Sequence, residues 1–196
     1  MRVVRVFAAF AALGSTFMCG PATAEDDGPA PIRFTLVAAS DAVSNCFPNA
    51  KATVTVIPSA DIRGTDTMRL KASGLPPNTG FVLFLTELPV PPFGAVQYMA
   101  DYTTDDEGEA SVKVNAIIVE AFSSQLVDAD CDAGTPPVRV RKDLNHVVSW
   151  FADPAGDDGC FGPGGGPDTP FDGDGHAGTA ALSSRNALPG APLPPP

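Results

Sequence analysis

The chain has 196 residues, with 23 acidic against 12 basic side chains and a net charge of −11. A field of that sign repels phosphate backbones and anionic headgroups, which makes nucleic acid and membrane surfaces poor partners. The length suits one domain with a loose tail, and no apolar segment beyond the N-terminus is long enough to span a bilayer.

The N-terminal stretch reads as a targeting signal. Basic MRVVR precedes an apolar run from Val6 to Phe17, and Ala22-Thr23-Ala24 supplies a small-x-small site before Glu25. That order describes a secretory signal peptide over residues 1–24, cleaved after Ala24 to release an exported, unanchored protein. Phe17 and Met18 are too bulky to precede a lipid-modified Cys19. Loss of Arg2 and Arg5 with the signal leaves 10 basic and 23 acidic residues, a net charge of −13.

Residues 25–152 carry the strand signals of one domain. IRFTLVA (Ile32–Ala38) alternates apolar and polar residues, and Ser44–Lys51 reads as a turn around Cys46. ATVTVI (Ala52–Ile57) is β-branched, with Val54 and Val56 inward. After a polar loop over Ser59–Asp66, Thr67–Ser73 turns Met68, Leu70 and Ala72 inward. The stretch around which the others pack is GLPPNTGFVLFL (Gly74–Leu85). Its turn residues feed an unbroken apolar run, the signature of a strand covered on both faces. Phe81, Leu83 and Leu85 point one way, Val82 and Phe84 the other.

ELPVPPFG (Glu87–Gly94) has three prolines and reads as a loop or stiff crossover. QYMADYT (Gln97–Thr103) is a strand of either phase, with Tyr98, Ala100 and Tyr102 inward or Met99 inward. The acidic turn DDEGE (Asp105–Glu109) then leads to Ala110–Ile118 as the second arm of a hairpin. Val119–Val127 is compatible with a helical turn or an extended edge. Val138–Val140 is brief and lies beside the basic cluster Arg139, Arg141 and Lys142. HVVSWFA (His146–Ala152) is the last strand, with Val148 and Trp150 opposite Val147 and Phe151. Residues 153–196 form a Gly/Pro/Asp-rich, partly disordered tail in which TAALSSRN looks helical. The expected fold is all-β, an antiparallel immunoglobulin-like β-sandwich of seven or eight strands, with a barrel as the alternative.

Few side chains suggest chemistry. Cys46, Cys131 and Cys160 survive processing, and export makes a disulfide the default. The favoured pair is Cys131–Cys160, which flanks the last strand; Cys46 with Cys131 or with Cys160 stays open. Asp172 and Asp174 in FDGDGHAG suggest calcium, yet the segment fails as an EF-hand loop. His176 stands at position five, Ala177 replaces the glycine and Ser183 replaces the bidentate glutamate. His146 and His176 have no metal-ligand spacing. No G-x-S-x-G or H-E-x-x-H occurs, and Ser149 is expected to face away from His146. Trp150, Tyr98, Tyr102 and Phe93 read as core and anchor residues before they read as a sugar platform.

L-P-P-N-T-G-F (Leu75–Phe81) resembles the corner before a late strand in fibronectin type III and related immunoglobulin-like modules, with Phe81 in place of the usual tyrosine. GLPPNTGFVLFL, YTTDDEGEA, DLNHVVSWFADP and PFDGDGHAG together are similar to exported proteins of high-GC bacteria such as actinomycetes. The resemblance implies export and a sandwich, and it brings no catalytic residue or ligand with it. The expectation is therefore a secreted, monomeric, non-enzymatic sandwich that binds an extracellular protein or glycan, or serves a structural role, without a cofactor. The alternative is a calcium-dependent carbohydrate- or cell-wall-binding module; a secreted hydrolase ranks below both.

Overall fold

A computed structural model of the chain describes residues 30–127, 138–162, 178–185 and 193. The expected signal peptide, Cys131, Asp172, Asp174 and His176 lie outside them. Ten strands occur among the described residues: β1 (Ile32–Ala38), β2 (Lys51–Ile57), β3 (Asp66–Ser73), β4 (Gly80–Thr86), β5 (Val96–Thr103), β6 (Ala110–Ala116), β7 (Phe122–Val127), β8 (Val138–Asp143), β9 (His146–Phe151) and β10 (Ala180–Ser183). Three one-turn helices accompany them, α1 (Asp41–Cys46), α2 (Ala60–Arg63) and α3 (Asp158–Phe161). The segments read as polar turns before β2 and β3 thus coil once. At α1 the Ser40 hydroxyl accepts the Val43 amide and caps the helix.

Every strand pairing among the described residues is antiparallel. Eight strands form one sheet in the order β5-β4-β9-β10-β1-β2-β3-β6, and β7 with β8 forms a separate ribbon. The sheet folds over so that inner side chains from both halves meet in one core. Phe81, Leu83 and Leu85 of β4 join Leu36, Val54, Leu70, Val147 and Leu182 there. The expected all-β sandwich is observed, and its centre is where the sequence predicts it. Phe81–Thr86 are all buried, with Val82 and Phe84 reaching a second cluster made with Phe93, Val148 and Trp150. Two-sided burial explains why this strand carries no outward polar residue.

Three expectations change. The turn at Asp105–Glu109 does not close a hairpin: β5 pairs with β4, and β6 pairs with β3 at the other end of the sheet. The turn's carbonyls serve the Leu75–Thr79 corner instead, Asp105 accepting from Asn78 and Gly108 from Leu75. Thr104 completes the clasp, its hydroxyl donating to the Pro76 carbonyl at 2.6 Å. Gly108 has φ +74° and a Cβ there would collide with the Leu75 carbonyl, so the clasp requires glycine.

The phase of β5 is neither alternative. A bulge opposite Leu83 and Phe84 shifts the register, so Met99 and Tyr102 both turn inward while Tyr98 is half exposed. Finally, β9 is not the last strand. The segment AALS, helical by propensity, is inserted as β10 between β9 and β1, where its backbone completes both ladders. A slot between two open strand edges outweighs a few tenths of a kcal/mol per residue of helix preference. The expected boundary at residue 152 therefore cuts off a central strand.

The disulfide joins Cys46 to Cys160, with Cα atoms 5.4 Å apart, and not Cys131 to Cys160. It ties α1 to α3, which pack against each other, with α1 beside β1. Folding brings together residues 114 apart in sequence, a proximity that nearness along the chain does not indicate. No helix among the described residues is long and apolar enough to cross a membrane.

Candidate functional site

The side chains with chemical potential fall into two groups, those consumed by the scaffold and those left facing solvent. His146 opens β9, and its Nδ1 lies 3.2 Å from the Ser184 hydroxyl just after β10. Burial holds the ring below its ordinary pKa, so it is biased to the neutral form. This pairing was not foreseen, because Ser184 comes from the tail. It has the elements of a nucleophile and a base but not the access. Ser184 is 1% exposed, its oxygen also accepts the Val147 amide, and no carboxylate among the described residues orients the ring.

Ser149 faces away from His146, as expected, and is buried with its hydroxyl 2.8 Å from that of Tyr102. Burial pushes the Tyr102 phenol up and keeps it protonated. Asp66 is likewise structural. Its Oδ1 accepts the amides of Ser59 and Ala60 at 2.8 and 3.0 Å, and its Oδ2 accepts those of Ile118 and Val119 at 3.0 Å each. Burial alone would raise the carboxyl, but the four amides outweigh it and hold the group below the usual range. A hollow of about 150 Å³ lies beside it, under Pro58, Ile62 and Val119. Asp66 clamps α2 and the exit of β6 with both oxygens occupied. Glu87 is held below its ordinary value by its hydrogen bond to Lys142 at 2.8 Å and one from the Ala95 amide, which pins the proline loop to β8.

The aromatic residues divide in the same way. Trp150 is buried edge-on against Phe84 and Phe93, with ring centroids 5.1 and 4.7 Å away. Tyr98 reaches the surface, donating its hydroxyl to Asp101 at 3.0 Å. Asp172 and Asp174, the calcium candidates, lie outside the described residues. Ser183, twelfth in that would-be loop, is buried in β10 and donates to the Pro89 carbonyl. The described acidic group is Asp105, Asp106 and Glu107, fully exposed at a turn, with Asp105 capping the Glu107 and Glu109 amides.

One sheet face, by contrast with the acidic molecule as a whole, gathers positive charge. Strands β1, β2, β3 and β6 turn their even-numbered side chains toward the core, those of β6 only half-buried, so the odd-numbered ones form the outer face. Arg33, Lys51, Arg69, Lys71 and Lys113 all stand on it and are exposed. These are five of the chain's twelve cations. The register puts Arg33, Thr55, Arg69 and Lys113 in one cross-strand row, with Arg69 directly opposite Lys113. Thr35, Thr53, Lys71 and Ser111 form the next row. Among the described residues none of the five cations forms an ion pair. The signal in the sequence was the alternation itself, with cations at successive outward places, but which strands lie side by side is not written there.

A second exposed feature is the β7–β8 ribbon. Phe122 and Leu126 are 51% and 54% exposed, and the Arg141 guanidinium lies 4.3 Å above the Phe122 ring. Neither a protein-family model nor a curated protein nor a solved structure matches this chain.

Proposed function

We propose that this protein is an exported, non-catalytic sandwich of immunoglobulin-like kind that works outside the cell by binding through the flat outer face of its sheet. The observation that carries the reading is the division of labour among side chains. His146, Ser184, Ser149, Tyr102 and Asp66 are each committed to holding strands together, whereas the cations of β1, β2, β3 and β6 are exposed and unpaired among the described residues. The signal-like N-terminus and the Cys46–Cys160 bridge support export, since such bridges persist in oxidising compartments. The partner is an extracellular glycan or protein, bound by a monomer without a cofactor.

Two measurements test this. Protein recovered outside an expressing bacterium should begin at Glu25 and resist thiol labelling at Cys46 and Cys160. It should also sediment with insoluble envelope polymers, equally well in the wild type and in His146→Gln and Ser184→Ala. Retention inside the cell with reduced thiols, or a hydrolytic activity abolished by His146→Gln, overturns the reading.

A further inference from the structure

We propose that the outer face of β1, β2, β3 and β6 is a docking surface for an anionic polysaccharide, one bearing a carboxylate, sulfate or phosphate on successive sugars. The inference rests on the binding reading above and names the partner's chemistry.

The chain has 23 acidic residues, nearly twice its 12 cations, yet no outward position on these four strands is Asp or Glu. Arg69 and Lys113 sit directly opposite, an arrangement that costs stability because like charges on paired residues repel. A neighbouring Glu would relieve that cost. A bound anion relieves it too, and does so without removing the positive charge of the face.

Geometry selects the kind of anion. Strands about 4.8 Å apart place Arg33 and Arg69 about 10 Å apart, with Lys113 about 5 Å beyond, along one line across the sheet. Lys71 and Lys51 lie on the following rows. Charges spread along a line on an open face suit a polymer that repeats its anion, and not one small ion. Thr35, Thr53, Thr55 and Ser111 stand between the cations and offer donors and acceptors of the kind that sugar hydroxyls satisfy.

Nucleic acid fits less well. The face presents no aromatic side chain on which bases could stack. The molecule as a whole, at −11, repels a polymer as densely charged as duplex DNA. Screening over about 8 Å at physiological salt lets five clustered cations act at contact while weakening that wider repulsion. The acidic turn at Asp105 and Glu109 bounds the face at its Lys71 end, so the polymer runs along the Arg33–Lys113 row.

The test uses the mature protein with polygalacturonate, dextran sulfate and a teichoic-acid-type polyphosphate as probes, and neutral dextran and duplex DNA as controls. Titration calorimetry should detect at least one anionic glycan and no neutral dextran. Affinity should fall about tenfold or more between 50 and 200 mM NaCl as counterions are released and screened. Which anionic probe wins identifies the source of the charge. The double variant Arg69→Thr/Lys113→Ser should lose at least about tenfold in affinity while its Tm stays equal or rises, because a repulsive pair has been removed. Arg139→Ser/Arg141→Ser, on the ribbon, should bind as wild type does.

Absence of binding to every anionic probe overturns the proposal, as does binding that the Arg69/Lys113 variant leaves unchanged, or duplex DNA binding as tightly as the glycans. Binding abolished by a chelator also overturns it, in favour of a calcium-held ligand. If the variant still sediments with envelope polymers, the binding reading survives and only this partner assignment fails. If the wild type sediments with nothing, both fall.

Discussion

Asp66 shows how a single carboxylate can hold three segments. Four amides converge on it from the start of α2 and from the residues after β6, so its removal orphans buried donors. Asp66→Ala should cost about 3 kcal/mol or more in urea denaturation, the penalty expected when buried donors lose their acceptor. Its lowered pKa also sets a sign. The stabilisation is complete above the unfolded value near 3.9 and is lost as pH falls through the folded one, a slope that Asp66→Asn should flatten. His146 acts in the same direction in a higher window. Its folded pKa lies below the usual value near 6.5, so stability present above that pH should decline as the solution is acidified below it. Tm measured against pH should show this step in the wild type and not in His146→Gln; equal profiles would remove the burial argument.

Among the elements, β10 matters more than its four residues suggest. It supplies ladder partners to β1 and β9 and buries Ala181 and Leu182 in the core. A chain truncated after Gly162 therefore leaves two central strand edges open and should fail to give a cooperative thermal transition, whereas a chain ending at Pro196 should show one. Cooperative melting of the truncated form would mean that β9 and β1 can pair without β10. The bridge between α1 and α3 is the second tie at this level. It spans 114 residues, and in the chain-entropy model a loop of that size contributes about 5 kcal/mol. Cys46→Ser or Cys160→Ser should lower the denaturation midpoint accordingly, and reductant should shift the wild type but neither variant.

At the scale of the whole molecule, the organising feature is segregated charge on a folded-over sheet. Exposed acids cluster at the Asp105–Glu109 turn, while one outer face collects five cations and no acid. Scattered along the chain, Arg33, Lys51, Arg69, Lys71 and Lys113 read as ordinary solvated positions. They become a surface only because β1, β2, β3 and β6 are neighbours in register. The aromatic residues behave in the opposite sense: a sugar platform was conceivable from sequence, yet Trp150 and Phe93 are interior and Tyr98 alone of that group reaches solvent.

By itself the sequence determined local things: where strands run, which side of each is apolar, and that Phe81–Leu85 must be covered twice. These follow from side-chain alternation, which needs no knowledge of neighbours. Tertiary structure decided every pairing between distant segments. It placed β6 beside β3 and not β5, Cys160 beside Cys46, Ser184 beside His146, and a helical-looking AALS between two strands. Such choices depend on which open edges and buried gaps remain once the rest has folded, and no local pattern encodes that remainder.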